Sequence, residues 1–501
     1  MFSTIYGSLS EMKRSATLWR NLMPLSSRLS TPHIGKTPRR MTADEAVSAI
    51  GSNSDIFVHS QAATPTELLN ALCKRVDSEG LKDLRPIHIL LSGKVPWADK
   101  KYVGKIRSNC LFMANTFRPL VKEGHADYIP MFLSAMPSNF YNKNFPVDFA
   151  LISVSPPDKL GYCSLGVNVD TSLAAIESAK KVIAIINPKV PRTCGNTIIH
   201  ESRIDSFVEV DREIYGNPEG QQISEVERFL NEFTVDFLKD LILFLISSEK
   251  NTPLKIQEEK RIGELIAENL VEDGATLQLG IGAIPDSTLL AMKNHKDLGI
   301  HTELLGDGVI DLIKSGVINN SKKTVLPGKV VTSFGFGTQK FYKFLHENPM
   351  IHFECCSWTN HSDVIRANSK MTCINSGIEI DITGQVASDS IGKTFYSGFG
   401  GQVDFMNAAA TTHDGLGKAI MAITSRTNKG KSKITTTLAE GAGVVTTRGH
   451  VRYVVTEYGI ANLGAKNVRQ RAHALIQIAH PDDREKLEKE AFERLKCMPS
   501  P

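Results

Sequence analysis

The sequence predicts an α/β protein made of two tandem open domains of related fold. Apolar, β-branched runs such as HILLSG, VDFALISVS and KVIAIIN alternate with helical stretches such as TPTELLNALCKRV and VDTSLAAIESA, as in parallel sheets covered by helices. The order of strand, small-residue loop, Pro and Leu-Leu helix occurs twice, in DIFVHSQAATPTELLNAL and in TLQLGIGAIPDSTLLAM. A length of 501 residues also favours two hydrophobic cores over one.

Composition and charge exclude several classes of protein. With 41% hydrophobic, 22% charged and 7% aromatic residues, the chain is an ordinary globular protein. Its longest apolar run, LILFLI at 241–246, is too short for the roughly 20 residues of a membrane helix. Residues 1–40 carry a net charge of +6, whereas the whole chain carries +4. The remaining residues are therefore slightly acidic. We therefore expect neither a nucleic-acid surface nor a membrane span.

Residues 1–40 have the composition of a mitochondrial transit peptide. The segment is basic, rich in Ser and poor in acids, and Leu18, Leu22, Leu25 and Leu29 fall on one helical stripe that Pro24 weakens. This pattern predicts import into the mitochondrial matrix and cleavage before a folded start near Met41. A disordered cytosolic tail is the alternative that the sequence leaves open.

The two domains follow this leader in order. The N-terminal domain, 41–235, is predicted to open with a helix capped by Thr42, with acids in its first turn, before the buried strand DIFVHS. The stretch SSEKNTPLKIQEEKR is charged and lacks periodicity, which predicts a linker, assigned to residues 236–262. The helix IGELIAENLVEDG then opens the C-terminal domain, 263–495. Prolines at helix starts in both halves fit this assignment, because a first-turn N–H has no helical partner.

The eight cysteines lack the spacing of a metal site. Adjacent Cys355 and Cys356 make a poor disulfide or zinc pair, so we expect reduced core thiols. Cys163 and Cys194 lie in turn-rich stretches, but neither has a His at a diagnostic spacing for a thiol nucleophile. The sequence predicts no metal.

Two glycine-rich loops are candidates for ligand binding. In LGIGAIPD, Gly280 and Gly282 would let the backbone approach a ligand closely near a helix start, although the loop matches neither a dinucleotide fingerprint nor a phosphate loop. In YSGFGGQVDF, Gly398, Gly400 and Gly401 would expose N–H groups to an oxyanion or a thioester carbonyl. The alternatives are a structural turn for the first loop and a hairpin for the second.

Three carboxylates compete for a reactive role. Glu303, Glu379 and Glu457 could each be an ordinary charge at a strand edge. Glu303 is favoured because its strand runs into a Gly-Asp-Gly turn and the helix VIDLIKSG, and α/β sheets bind ligands beyond the carboxyl ends of their strands.

The segments ATLQLGIGAIPD, LGIHTELLGDGV, INSGIEIDITGQV, YSGFGGQVDF and VVTEYGIANL resemble, in order and spacing, the acetyl-CoA hydrolase/transferase family of class I CoA-transferases. The resemblance extends from about residue 42 to 495, with NPKVPRTCGNTIIHESRID in the first half. Within the family the chain is most similar to 4-hydroxybutyrate/butyrate CoA-transferases and to the mitochondrial acetate:succinate CoA-transferases of invertebrate parasites. The resemblance implies two open α/β domains, in agreement with the pattern above.

The resemblance also implies roles for individual residues. Glu303 matches the family's nucleophile, while LLGDGV departs from relatives that often have a hydroxyl residue before the Asp. The other implied site residues are Gln278 beside the nucleophile, Ile281 and Asn360 in one oxyanion site, and Gly400, Gly401 and Glu457 in a second.

The implied activity is transfer of CoA between a short-chain acyl-CoA and a carboxylic acid, with acetyl-CoA and succinate as the expected pair. The chemistry would be ping-pong, through a glutamyl-CoA thioester. CoA would be a co-substrate, with no cofactor bound permanently, and we expect a homo-oligomer without nucleic-acid or membrane partners. The alternatives are an acetyl-CoA hydrolase and a non-catalytic acyl-CoA-binding α/β protein.

Overall fold

The computed structural model describes residues 27–217, 252–280 and 282–501. The predicted domain end near residue 235, Ile281 and the leucine stripe before residue 27 lie outside the described residues. Within the described ranges, two parallel sheets and their flanking helices confirm the predicted α/β class. No helix in these ranges has the length and apolarity needed to cross a bilayer.

The N-terminal half is built on an eight-stranded sheet in which every pair is parallel, with the order β1-β11-β8-β6-β2-β3-β4-β5. The strands of this half are Arg39–Arg40 (β1), Asp55–Val58 (β2), Arg85–His88 (β3), Asn109–Cys110 (β4), Asp127–Tyr128 (β5), Phe149–Val154 (β6), Tyr162–Ser164 (β7), Lys181–Ile186 (β8), Cys194–Gly195 (β9), Ile198–His200 (β10) and Ser206–Glu209 (β11). The helices are Ala43–Val47, Thr66–Glu79, Arg118–Lys122, Met136–Tyr141 and Ser172–Ser178.

The C-terminal half is built on a six-stranded sheet in the order β13-β12-β18-β23-β25-β26, with an antiparallel last pair. Its strands are Thr276–Leu279 (β12), Gly299–Ile300 (β13), Leu304–Leu305 (β14), Val330–Thr332 (β15), Phe334–Gly335 (β16), Ile351–Phe353 (β17), Thr372–Asn375 (β18), Glu379–Asp381 (β19), Val386–Ala387 (β20), Ser390–Ile391 (β21), Thr394–Phe395 (β22), Lys418–Ala422 (β23), Ile434–Thr435 (β24), Tyr453–Thr456 (β25) and Gly459–Asn462 (β26). The helices are Thr252–Leu270, Ala283–Ala291, Val309–Lys314, Gln339–Leu345, Cys356–Thr359, Ser362–Arg366, Gln402–Ala409, Val468–Gln477 and Pro481–Leu495.

Local signals account for several of these elements. Thr42 caps the first helix in a capping box with Glu45, which satisfies two otherwise unpaired N–H groups. Strand β6 is buried along its whole length, as expected for a central strand covered by helices on both faces. The run HILLSG gives no strand of its own, because the chain pairs with β2 and β4 over Arg85–His88, a few residues earlier than predicted.

The helix that opens the C-terminal half begins at Thr252, so residues 252–262, assigned to a linker from the sequence, are helical. Its charged residues are four apart and pair along the helix, as between Lys260 and Glu264. In this stretch the helical spacing is carried by the charged residues and not by the apolar ones, so the apolar pattern did not indicate a helix. Gly263 lets the helix approach Ala283–Ala291 closely, since a Cβ there would lie 2.7 Å from the Ser287 carbonyl carbon.

The folded part of the chain includes residues before Met41, within the stretch 1–40 that the sequence predicts to be a transit peptide. Leu29 is buried in the main core, and its neighbour Arg28 donates its N–H to Glu177 at 2.9 Å. Strand β1 adds to the edge of the large sheet beside β11. Residues 27–40 are therefore part of the N-terminal half.

The two halves share one hydrophobic core and one small sheet. The main core cluster includes residues from Leu29 to Val455. Strand β9 of the first half extends the β15-β17 pair of the second, with Cys194 opposite His352. This pairing joins the two halves through a shared backbone ladder.

Candidate active site

Glu303 follows β13, at the point where the sheet ends. Its backbone carbonyl accepts three hydrogen bonds, from the N–H groups of Ser333 and Phe334 at 2.9 Å and from Thr332 Oγ1 at 3.0 Å. The preceding Thr302 donates its hydroxyl to the carbonyl of Leu279, the last residue of β12. Hydrogen bonds at Thr302 and at the Glu303 carbonyl thus fix the main chain here, independently of the Glu303 side chain.

The Glu303 carboxylate is held by two donors from different parts of the chain. Asn360 Nδ2 lies 2.9 Å from Glu303 Oε2, and the backbone N–H of Gly401 also donates to this carboxylate. Asn360 caps the carboxyl end of the short helix Cys356–Thr359, whose last carbonyl accepts a 2.7 Å hydrogen bond from His301 Nε2. Residues far apart in sequence therefore converge on one carboxylate.

Burial raises the pKa of Glu303 to about 7. This value is the net result of burial and the negative charge of nearby Asp404, which raise the pKa, and of the hydrogen bonds from Asn360 and Gly401, which lower it. Close to neutral pH, Glu303 is therefore divided between its neutral and its ionised form. A carboxylate that is desolvated but still ionisable is suited to nucleophilic attack.

The glycine loop of YSGFGGQVDF leads directly into the helix Gln402–Ala409 and does not form the hairpin considered as an alternative. Gly400 has φ +51, a conformation that favours glycine, and Gly401 caps the helix. The helix start thus faces Glu303, and its partial positive charge favours the anion. Gly398 packs against Phe112, where a Cβ would lie 2.9 Å from the ring.

The N-terminal half supplies a second wall of the site. Leu133 donates its backbone N–H to the Gly400 carbonyl at 3.0 Å. The next residue, Ser134, donates its N–H and its hydroxyl to Asp404, at 3.1 and 2.7 Å. The Phe132 and Phe399 rings meet edge to face at 5.5 Å. These contacts hold the glycine loop in place from the opposite half of the molecule.

Gln278 and Asn375 form a pair beside the nucleophile's strand. The two side chains exchange hydrogen bonds between β12 and β18, with Asn375 Nδ2 at 2.9 Å from Gln278 Oε1. Gln278 is buried, and both residues sit near the carboxyl ends of their strands. The sequence predicted Gln278 beside the nucleophile but gave no indication of Asn375.

The remaining predicted carboxylates contact other groups. Glu457 accepts hydrogen bonds from the N–H of Ser425 at 2.9 Å and from its hydroxyl, and its strand lies at the other side of the sheet from β13. Glu379 is buried and accepts the N–H of Ala439 at 2.7 Å. Asn360 and Gly401, which the sequence resemblance assigns to two different oxyanion sites, here contact the same carboxylate.

The loop around Gly280 and Gly282 lies at the end of β12, next to Ile281, which is outside the described residues. Gly282 has φ +128 and precedes the helix Ala283–Ala291. A Cβ on either glycine would meet no described atom within 4 Å. Neither glycine is therefore packed against a described neighbour.

The cysteines in the described residues are free thiols. Burial raises the pKa of Cys163 to about 12, and it raises that of Cys356 as well. Neither is suited to act as a thiolate nucleophile.

Two sequence models of one protein family match the chain. The model of the acetyl-CoA hydrolase/transferase N-terminal domain matches residues 35–216, and that of the C-terminal domain matches residues 337–491. The first match starts before Met41, in agreement with the folded residues 27–40.

Two relatives are similar over almost their whole length. A Fasciola hepatica protein named succinyl-CoA:acetate/propanoyl-CoA:succinate CoA transferase is 47% identical, with 94% of this chain and 91% of the relative covered. A 4-hydroxybutyrate coenzyme A transferase of Clostridium kluyveri is 44% identical, with coverage of 91% and 97%.

Solved structures have the same architecture. The 4-hydroxybutyrate CoA-transferase of Porphyromonas gingivalis has a TM-score of 0.72 and 34% identity, covering 91% of this chain and 98% of its own. RipA from Yersinia pestis has a TM-score of 0.79 and 30% identity at the same coverage.

Proposed function

The chain belongs to the acetyl-CoA hydrolase/transferase family, and we propose that it transfers CoA from a short-chain acyl-CoA to a carboxylic acid through Glu303. The observation that carries the proposal is a fixed, desolvated carboxylate held by Asn360 and Gly401 at the end of a parallel strand. The named activities of the relatives support acetyl-CoA and succinate as the expected pair.

The first half-reaction would form a thioester on the enzyme. The Glu303 carboxylate attacks the thioester carbonyl of the acyl-CoA, the C–S bond breaks, and a mixed anhydride and CoA thiolate result. The thiolate then attacks the glutamyl carbonyl, which releases the first acid and leaves a glutamyl-CoA thioester. No general base has to act in the attack itself, because the ionised form of Glu303 is the nucleophile.

The second half-reaction would run these steps backwards with another acid. Its carboxylate attacks the glutamyl thioester and expels CoA thiolate, which then attacks the acyl carbonyl of the new anhydride. The products are the acceptor's CoA ester and the free Glu303 carboxylate. The energy of the thioester bond is kept, whereas attack by water would lose it.

The protein's contribution would be positioning and stabilisation of negative charge. Asn360 Nδ2 and the Gly401 N–H donate to the oxygens of Glu303 in the free enzyme. When the glutamyl carbonyl is attacked, one of these oxygens carries the new charge, and the same donors are already in place. Gln278 and Gly280 lie on the side where we place the pantetheine arm.

We further infer a mitochondrial matrix location, a homo-oligomeric enzyme and CoA as a co-substrate, with no cofactor bound permanently. The basic, acid-poor residues before Ser27 support the location. Glu457 stays a proposed site residue: it follows β25 as Glu303 follows β13, so both lie at the carboxyl end of the parallel strands, although the two strands are at opposite sides of the sheet.

The test is to trap the intermediate. Acetyl-CoA without an acceptor acid should load CoA onto the peptide that contains HTELLGDG, and hydroxylamine or borohydride should then inactivate the enzyme only after acetyl-CoA has been added. Glu303→Ala should abolish labelling, and Glu303→Asp should retain little of it because the shorter side chain misses an attack distance of about 3–3.5 Å.

Glu379→Gln serves as the matched control, since Glu379 is a buried carboxylate bonded to a backbone N–H outside the site. It should label normally. A label on Glu457 or on a cysteine, or normal CoA exchange by Glu303→Ala, would refute the mechanism. Free thiol released without any acceptor acid would indicate a hydrolase instead.

A further inference from the structure

Asp404 lies in the first turn of the helix that starts at the glycine loop, and it is buried. Its Oδ1 accepts the Ser134 hydroxyl at 2.7 Å, and its Oδ2 accepts the Ser134 N–H at 3.1 Å. Asn360 Nδ2 lies 3.3 Å from the same Oδ2. Asp404 therefore connects a loop of the N-terminal half to the amide that holds Glu303.

The two carboxylates together determine how the Asn360 amide is turned. Its Nδ2 faces both Glu303 and Asp404, and a rotation by 180° would point the amide oxygen at two carboxylate oxygens. Such a contact is repulsive, so only one of the two orientations is favourable. With Glu303 alone as a partner, the preference would depend on the charge of Glu303.

That charge changes during the proposed reaction. When Glu303 becomes an acyl anhydride or a thioester, it is neutral and attracts the amide less strongly. Asp404 is not consumed, so its hold on Asn360 persists through both half-reactions. Asn360 Nδ2 then still points at the glutamyl carbonyl when the CoA thiolate or the acceptor carboxylate attacks it.

We propose that Asp404, anchored by Ser134, is a positioning residue that keeps the Asn360 amide nitrogen directed at Glu303 throughout the catalytic cycle. The inference rests on the proposed function, because it assigns a role relative to Glu303 as the nucleophile. It adds a residue that the sequence reasoning did not single out.

The charged and titratable groups around this cluster are few among the described residues. Cys356 faces Asp404 from the short helix that carries Asn360, and burial keeps its thiol protonated. His301 precedes Glu303 by two residues, and burial together with nearby Lys323 lowers the pKa of the His301 ring to about 3. Asp404 is thus the main negative charge acting on Glu303, in agreement with its effect on the pKa of Glu303.

Two substitutions separate the shape of Asp404 from its charge. In Asp404→Asn, the amide oxygen can replace Oδ2 and accept from the Ser134 N–H and Asn360, while its nitrogen donates to Ser134 Oγ. This variant keeps the positioning contacts and loses the charge. Asp404→Ala loses both, and it leaves Asn360 without its second acceptor.

We expect Asp404→Ala to lower kcat for CoA exchange by about 10²-fold with a smaller change in KM, as for misplacement of a catalytic group. Asp404→Asn should stay within about 10-fold of the wild type, and its rate should begin to rise at a lower pH, because the charge that disfavours ionisation of Glu303 is gone. Asp381→Asn, a buried Asp bonded to Thr383 and Gln385 outside the site, is the control and should leave the pH profile in place.

Labelling of Glu303 as a thioester distinguishes failure of the positioning role from failure of the proposed function. If wild-type enzyme gives no label on Glu303, the proposed function fails. If the wild type is labelled and Asp404→Ala is labelled and turns over at the wild-type rate, the positioning role is refuted. Should the Ala variant not fold, Ser134→Ala decides, since it removes the hydroxyl that anchors Asp404 Oδ1, and a wild-type kcat in that variant refutes the role. Ser134→Ala, which keeps the N–H donor, should cause a severalfold loss of kcat.

Discussion

The backbone of Gly401 and the carboxylate of Glu303 are so close that no side chain fits between them. A Cβ built on Gly401 would overlap Glu303 Oε2, and it would also overlap Asn360 Nδ2. The absence of a side chain at residue 401 is therefore what allows an N–H donor, a side-chain amide and the carboxylate to meet at one point.

Gly401→Ala should consequently reduce CoA exchange by at least about 10²-fold, the size of effect produced by loss of an oxyanion donor. The added methyl pushes Glu303 and Asn360 apart while the core remains intact. The measurement is turnover together with circular dichroism. Gly51→Ala is the control, since a Cβ there meets no described atom within 4 Å and φ is not positive. Equal turnover of both variants would contradict the assignment.

The rate of thioester formation from acetyl-CoA should rise with pH, with an apparent pKa of about 7. Only ionised Glu303 attacks, and burial together with Asp404 raises its pKa to that value. An ordinary glutamate would already be fully active at pH 6. Stopped-flow measurement without an acceptor acid, from pH 5.5 to 8.5, checks this. A rate that stays level over that range would contradict the pKa of Glu303.

Glu303→Gln should make the protein more stable at pH 8, although it removes the nucleophile. The folded-state pKa of about 7 lies above the usual 4.5, so the native state binds more protons and its stability falls as pH rises from about 4.5 to 7. A neutral Gln escapes this loss and keeps an acceptor for Asn360. We expect about 1–3 kcal/mol greater free energy of unfolding at pH 8.

Denaturation with urea at the two pH values measures this difference. Near pH 4, where Glu303 is protonated in both states, the two proteins should unfold at the same urea concentration. A variant that is less stable than the wild type at pH 8 would show that the carboxylate stabilises the fold.

Leu29→Ala should destabilise the protein by about 2–4 kcal/mol, because Leu29 is 3% exposed within the main core. Lys36→Ala is the matched control from the same segment. Its ion pair with Asp205, at 3.0 Å, is partly exposed and should be worth less than about 1 kcal/mol. Thermal unfolding compares the two.

The contacts of Leu29 and Lys36 also predict where removal of an N-terminal leader would stop. A protein that starts at Met41 should unfold at a lower temperature than one that starts at Ser27. Sequencing the N-terminus of the mature protein should then find it at or before Ser27. A mature protein that begins at Met41 with full stability would contradict the packing of Leu29.

The sequence predicted the position of Glu303 because a local pattern marks it: a β strand, a Gly-Asp-Gly turn and a helix in direct succession. It predicted the Thr42 cap for the same reason. Asp404 and Ser134 are separated by 270 residues, and no local pattern links them. A signal was nevertheless present, since Asp404 is an acid between Val403 and Phe405 on a mostly buried helix.

The N-terminal segment illustrates what composition alone leaves undetermined. Basic, acid-poor composition is a property of the whole stretch, and it led to one interpretation for residues 1–40. Burial of Leu29 and the bond from Arg28 to Glu177 depend on partners about 150 residues away. Composition therefore could not locate the residue at which the segment joins the fold.

Above neutral pH, the raised pKa of Glu303 implies that the free enzyme carries a buried charge at a cost in stability. A charge is kept in a place that disfavours it, and the proposed thioester removes that charge without any proton being taken up. Above neutral pH, the loaded enzyme should therefore resist heat better than the free enzyme does. Formation of the covalent intermediate would remove the buried charge and raise the free energy of unfolding. The same gain in stability favours formation of the thioester.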